Sequence, residues 1–266
     1  MNKKPLILVS NDDGYFSMGI RALAESLSSF ARVIIVAPSS DQSAISHAIS
    51  LNRPLRLHSE APLGDVLVYS VDGTPTDSVY MGLHHVLKDE KPDLVVSGIN
   101  HGANLGYDVF YSGTVSAAME ASMFGITSVA VSLVSRHSFN FDKAQEFIAD
   151  FCYTILQKSW PQSTLFNVNV PKRVTHSNYA ITQLGHHEYT TEVSERIDPR
   201  GLSYYWIGGT WSGYQDLPGT DCKAIAQGMI SVTPLALNLT KVTLLDELAS
   251  LKTKAKPIPL YKDSVE

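Results

Sequence analysis

Cysteine is scarce in this chain, with Cys152 and Cys222 the only two among 266 residues. Two widely separated thiols cannot build a disulfide framework, so they read as reduced cysteines of a cytoplasmic protein. Long apolar runs are also missing: none approaches the ~20 residues a membrane-spanning helix needs. The stretch between Lys4 and Asn11 is too short for a signal peptide. Basic excess is missing too, because the formal net charge is −5. That argues against duplex nucleic acid as the partner, whose phosphate backbone calls for a basic face. It leaves small phosphorylated ligands open, since a bound cation can supply positive charge locally.

Several catalytic signatures are absent. No Gly-Lys-Ser/Thr follows a glycine-rich loop, the first loop lacks G-x-G-x-x-G, and no G-x-S-x-G elbow occurs. The histidines His47, His84, His85, His101, His186 and His187 show no metal-ligand spacing. Of these, His101 alone sits in a loop with chemical promise, as a candidate proton donor.

What is present is an ordinary globular composition, 44% hydrophobic and 18% charged. Its patterning is regular. Leu6–Val9, Val33–Val36, Val66–Val71, Leu94–Val96, Val129–Val131 and Leu165–Val170 are short apolar runs that read as buried strands. Between them lie helical faces: Ile20, Leu23, Ala24 and Leu27; Val79, Leu83, Val86 and Leu87 after Pro75; Val115 to Met123; and Ala144 to Leu156. Alternation of this kind implies an α/β fold whose mostly parallel sheet is covered on both faces. From about Tyr179 the texture changes. Residues 185–215 hold four tyrosines and two tryptophans with little helical period, and read as an excursion of strands or a long hairpin. The expected organisation is a core over 1–175 and a C-terminal region over 176–266. That region comprises the arm, a returning element at 220–240 and a tail helix, with 253–266 a weakly ordered end.

In parallel sheets ligands sit beyond the carboxyl ends of the strands, so the loops there carry the functional reading. Ser10-Asn11-Asp12-Asp13-Gly14 suits a turn by composition. Two adjacent carboxylates at a strand end also repel, however, and a divalent cation relieves that cost. Hard cations such as Mg²⁺ and Mn²⁺ take oxygen ligands of this type. The polar loop Pro38 to Ala44 lies beside the first by topology and offers a serine hydroxyl. The loop Ser97 to Gly106 has glycines at 98, 102 and 106 that let backbone approach a ligand, with Asn100 and Asn104 between them. Tyr111-Ser112-Gly113-Thr114 opens an Ala-rich helix. This is a good N-cap, and a helix start can also hold phosphate.

Taken in order, these motifs resemble the SurE survival-protein family of 5'-nucleotidases. They are Val9 to Gly14, Ala37-Pro38 to Gln42-Ser43-Ala44, Asp72 to Asp77, Ser97-Gly98-Ile99-Asn100 with Gly102 and Asn104, and Tyr111 to Val115, with Thr220 to Leu235 returning near the end. The match is dense over 6–132, sparse over 135–215 and returns near 220–235. The resemblance implies a Rossmann-like three-layer αβα core with a C-terminal β-hairpin arm for oligomerisation into a homodimer or homotetramer. It also implies a phosphatase acting on nucleoside 5'-monophosphates with one divalent metal ion, Mg²⁺ or Mn²⁺; some relatives also cleave 3'-nucleotides and short polyphosphate. By the same resemblance the metal ligands are Asp12, Asp13, Ser43 and Asn100, of which Asp12, Asp13 and Asn100 are catalytic. Asn104, Ser112, Gly113 and Thr114 hold phosphate. The attacking group is either water or Asp12 itself. Ala44 stands where many members carry glycine. The competing readings are a non-catalytic nucleotide- or phosphate-binding regulator on the same fold and a zinc hydrolase of the deacetylase kind, for which histidine ligands are expected.

Overall fold

The structure is a computed structural model. It describes residues 3–135, 140–190, 192–209, 211–253 and 257–258. Most of the expected weakly ordered end at 253–266 lies outside them. Residues up to Leu235 form one compact unit and Ala236–Glu266 a second.

The elements of the first unit follow the apolar runs. They are β1 (Leu6–Ser10), α1 (Met18–Ser28), β2 (Arg32–Pro38), β3 (Leu57–Ser59), β4 (Leu67–Val71), α2 (Pro75–Met81), β5 (Leu94–His101), α3 (Gly113–Met123), β6 (Ser128–Val134), α4 (Asp142–Leu156) and β7 (Leu165–Pro171). Then come β8 (Tyr179–Ile181), β9 (His187–Tyr189), β10 (Glu192–Ile197), β11 (Ser203–Gly208), β12 (Trp211–Tyr214), α5 (Asp221–Ala226) and β13 (Ile230–Leu235). In the second unit a 3-10 turn (Val242–Leu244) runs into α6 (Leu245–Ala249).

One nine-stranded sheet carries the fold, in the order β3-β4-β2-β1-β5-β6-β7-β13-β8. The six strands from β4 to β7 in that order are mutually parallel. β3 pairs antiparallel with β4, and β13 antiparallel with β7. Strand alternation sorts the apolar side chains onto two faces. Ile7, Val9, Val33, Ile35, Val129 and Val131 pack with Ile20, Leu23 and Leu27 of α1 and Ile148, Cys152 and Ile155 of α4. On the other face, Leu6, Leu8, Ile34, Val36 and Val95 pack with Val79 of α2 and Ala117 and Ala121 of α3. The result is the three-layer α/β arrangement expected. Both cysteines are buried and free.

Three details depart from the sequence reading. The helical face from Val79 to Leu87 is not one α-helix, because α2 gives way to a π-helical turn over Gly82–Val86. The segment beginning at Ser97 is not loop from its start, because β5 runs to His101 with an irregular register between Ser97 and Asn100. Gly98, at φ +134°, serves that irregularity; a Cβ there would lie 2.3 Å from the Val131 carbonyl. Lastly, β3 was unforeseen, since Leu57-His58-Ser59 has no apolar run to mark it.

The arm consists of two nested antiparallel pairs, β9 with β12 outside and β10 with β11 inside. Among the described residues, no helix is long and apolar enough to cross a membrane.

Candidate active site

The carboxyl ends of β1 and β5, the chain after β2 and the start of α3 converge on one cleft of about 470 Å³. Asp12, Asp13, Ser43, Asn100, Asn104 and Ser112 all line it. The cleft also takes in Tyr111, named in the sequence only as part of a motif, and Asp108, which the sequence reading did not single out. A larger groove of about 820 Å³ lies elsewhere, lined by Lys3, Lys4, Arg21, Arg32 and Leu63 to Val66. Those residues sit at the amino-terminal ends of β1, β2 and β4, away from the carboxyl ends where parallel sheets bind ligands. The groove's two acids, Glu25 and Asp65, stand among four basic side chains, whereas the adjacent Asp12 and Asp13 share the smaller cleft, which is the candidate chemical site.

Asp12 is 5% exposed. Burial, with the charge of Asp13 adding, pushes its carboxyl up to about 6, even though the Thr114 hydroxyl donates a hydrogen bond to Oδ1. Asp13 faces His101: the His101 backbone N–H donates to Asp13 Oδ2 at 3.3 Å, and ring Nδ1 lies 3.5 Å from the same oxygen. That contact raises the His101 pKa above the ordinary imidazole range. Asn100 Nδ2 donates to the Gly102 carbonyl at 3.0 Å, which leaves its amide oxygen as the acceptor available to a ligand.

The fit to a divalent cation follows from this chemistry. A buried carboxylate beside a second one carries a costly charge, which a bound cation relieves more fully than the Thr114 hydrogen bond does. The remaining donors are a hydroxyl and an amide oxygen, a set that suits Mg²⁺ or Mn²⁺. Among the described residues there is no group of three His, Cys, Asp or Glu side chains that could hold a metal. A two-carboxylate site completed by Ser43 and Asn100 is outside that description, and it is also unlike the histidine-bearing sites of zinc hydrolases.

The start of α3 does two things. Ser112 is the N-cap, its Oγ accepting from Val115 N–H at 3.0 Å. Thr114 is spent on Asp12. Gly113 lets this turn lie against the first loop, since a Cβ there would sit 2.7 Å from Asp12 Cβ. Capping is therefore present, and the polar side chain that the turn turns toward the cleft is Ser112.

Asn104 is held from several sides. Its backbone N–H donates to Asn169 Oδ1 at 2.9 Å, its Nδ2 donates to Ser132 Oγ at 2.8 Å, and its carbonyl accepts from Asn167 and Asn169. An amide nitrogen carries two hydrogens, so one donor remains for the cleft. The alternation Phe166-Asn167-Val168-Asn169 puts two amides on one side of a buried strand, a signal legible in the sequence but unused there. Asp221, fully buried, fixes the neighbouring segment by accepting from Gly106 and Gly185 N–H at 2.8 and 2.7 Å.

Comparison with known proteins points to one family. Residues 7–191 match the family described as survival protein SurE. The chain is 48% identical over 240 residues to the 5'-nucleotidase SurE of Myxococcus xanthus, covering 90% of each. It is 46% identical over 247 residues to the 5'-nucleotidase SurE of Geobacter sulfurreducens, covering 92% of each. The crystal structure of the SurE protein from Aquifex aeolicus superposes with a TM-score of 0.80 at 39% identity, covering 92% of this chain and 98% of that one. By sequence and by fold, this chain belongs to the SurE family.

Proposed function

We propose that this chain is a 5'-nucleotidase, hydrolysing nucleoside 5'-monophosphates to nucleoside and phosphate with one divalent cation, Mg²⁺ or Mn²⁺. The observation that carries the reading is the buried Asp12 carboxyl beside Asp13 at the end of a central strand, in a cleft shared with Ser43 and Asn100. Those four residues would hold the cation. Bound there, it supplies the positive charge that a phosphate dianion requires in an acidic cleft.

The protein's own groups supply the rest. Thr114 fixes the orientation of Asp12 through its hydroxyl. The remaining Asn104 N–H and the Ser112 hydroxyl hold phosphate oxygens, where donors stabilise charge that builds in the transition state. His101, whose ring Nδ1 lies against Asp13, is the candidate proton donor to the departing nucleoside oxygen. The arm supports assembly into a homodimer or homotetramer. Val193, Ile197, Tyr205 and Ile207 share one face of the β10–β11 pair and are 61–92% exposed, a patch suited to burial against another copy. Two buried free thiols fit a cytoplasmic home.

The test is phosphate release from 5'- and 3'-nucleoside monophosphates and short polyphosphate, after chelator treatment and with Mg²⁺ or Mn²⁺ restored. Metal-restored turnover that Asp12→Asn and Asn100→Ala abolish supports the nucleotidase. A folded protein that holds AMP unchanged with every metal is a binding protein instead. Acid-quench trapping of a phospho-enzyme separates attack by Asp12 from attack by water.

A further inference from the structure

The chain from Ser39 to Ser50 forms a strap that borders the cleft through Ser43 and Ala44, and it has no helix or strand of its own. Two of its residues, Ala44 and Ser46, have φ of +56° and +58°. That conformation is costly for L-residues, so the strap needs external fastening to keep one shape. Its backbone is tied at both ends: Gln42 N–H donates to the Asp12 carbonyl at 2.8 Å, and Ser50 N–H to Asp77 Oδ1 at 2.8 Å. Between these, Ser46 Oγ donates to the Phe110 carbonyl at 2.6 Å, and the Ala48 carbonyl accepts from Thr74 Oγ1 at 2.7 Å.

Ser46 N–H also donates to the Tyr111 carbonyl at 3.0 Å and Ser39 N–H to the Val71 carbonyl at 2.7 Å, and a further tie joins two ionisable side chains. His47 Nε2 lies 2.8 Å from Glu120 Oε2, with the Glu120 side chain only 9% exposed and that of His47 30%. Glu120 belongs to α3, six residues beyond Thr114, which is about 9 Å along a helix. One rigid helix therefore grips Asp12 through Thr114 near its start and the Ser43 strap through Glu120 a turn and a half later. A carboxylate that deeply buried is expensive unless it is hydrogen-bonded.

We propose that His47 and Glu120 are positioning residues for the nucleotidase site: their hydrogen bond registers the strap against α3, so that Ser43 is presented to the cation beside Asp12 and Asp13. The proposal rests on the reading of Ser43 as a ligand, and neither His47 nor Glu120 touches substrate. Side chains that orient ligands from behind typically change metal affinity by about 10–100-fold when removed. His47 is the residue to change, because it is partly exposed and its loss leaves no large cavity.

The experiment is calorimetric titration of chelator-treated full-length protein with Mn²⁺, beside its melting temperature without metal. His47→Ala is expected to weaken Mn²⁺ binding about tenfold, with little change in the metal-free melting temperature. His47→Gln, which keeps a side-chain N–H within reach of Glu120, is expected to restore most of the affinity. In a Ser43→Ala background, His47→Ala is expected to add nothing. A merely structural role would lower the melting temperature and leave Mn²⁺ affinity unchanged, which overturns the proposal. Additive losses from Ser43→Ala and His47→Ala overturn it as well. The site reading has its own control: if Asp12→Asn and Asp13→Asn leave Mn²⁺ binding intact, the metal site itself is wrong and the proposal falls with it.

Discussion

At the scale of single residues, Asp12 is where function and stability oppose each other. Its carboxyl is pushed from 3.8 up to about 6, mainly by burial. A raised acid pKa means the folded state disfavours the charged form. The cost is absent below about pH 4, grows through pH 6 and is full above it, where it is on the order of 1–3 kcal/mol. Asp12→Asn therefore removes phosphatase activity by a factor of roughly 100 or more while raising the melting temperature of chelator-treated protein at neutral pH. Calorimetry of both proteins in chelator checks it, and a lower melting temperature for the variant would contradict the electrostatic account. Ala44 gives a second case. At φ +56° it sits where glycine pays no penalty, so Ala44→Gly should stabilise the fold by up to about 1 kcal/mol, or a few degrees in melting temperature. Gly113→Ala should do the opposite. Its Cβ would meet Asp12 Cβ at 2.7 Å, displacing the carboxylate and lowering turnover more than it lowers stability. That Asp12, Asp13, Ser43 and Asn100 line one cleft was legible in the sequence, because strand ends and the motifs of the resembled family locate them. His47 and Glu120 were not, since 73 residues separate them and only the folded sheet brings the strap over α3.

Among the elements, the central strands were legible because each is a continuous apolar run buried on both faces, as with Ile7 to Val9 and Val129 to Val131. β5 was read short for a physical reason: of its last residues, Ser97 to His101, Ile99 alone is apolar, and the ladder shifts register between Ser97 and Asn100. β3 was missed because an edge strand paired on one side needs no apolar alternation. The start of α3 was legible from Ser112 alone, and it yields a prediction. Ser112→Ala removes the acceptor for Val115 N–H and should cost about 1 kcal/mol of stability. Because Thr114 in the same turn holds Asp12, Mn²⁺ affinity should drop too, and titration beside thermal melting would show whether both change together. β7 supports the site less visibly. Asn169→Leu should leave the strand buried but release the Asn104 backbone, seen as a raised KM for AMP with the fold retained.

On the scale of the whole molecule, the site joins elements drawn from the first 135 residues, while the sheet that carries it is completed much later. β13, at Ile230–Leu235, lies between β7 and β8 and pairs with both. All seven residues of β7 are buried in the finished sheet. During synthesis, then, the catalytic half can assemble while one side of β7 remains an open row of backbone donors and acceptors. Such an edge is a template for pairing with another chain. A chain ending at residue 228 should therefore aggregate on expression, whereas one ending at residue 240 should stay soluble, and fractionation of the two would show it. The antiparallel strand that covers β7 thus acts as a checkpoint in time: until the ribosome has delivered it, the nascent protein carries a nearly complete cleft on a sheet with an unguarded edge.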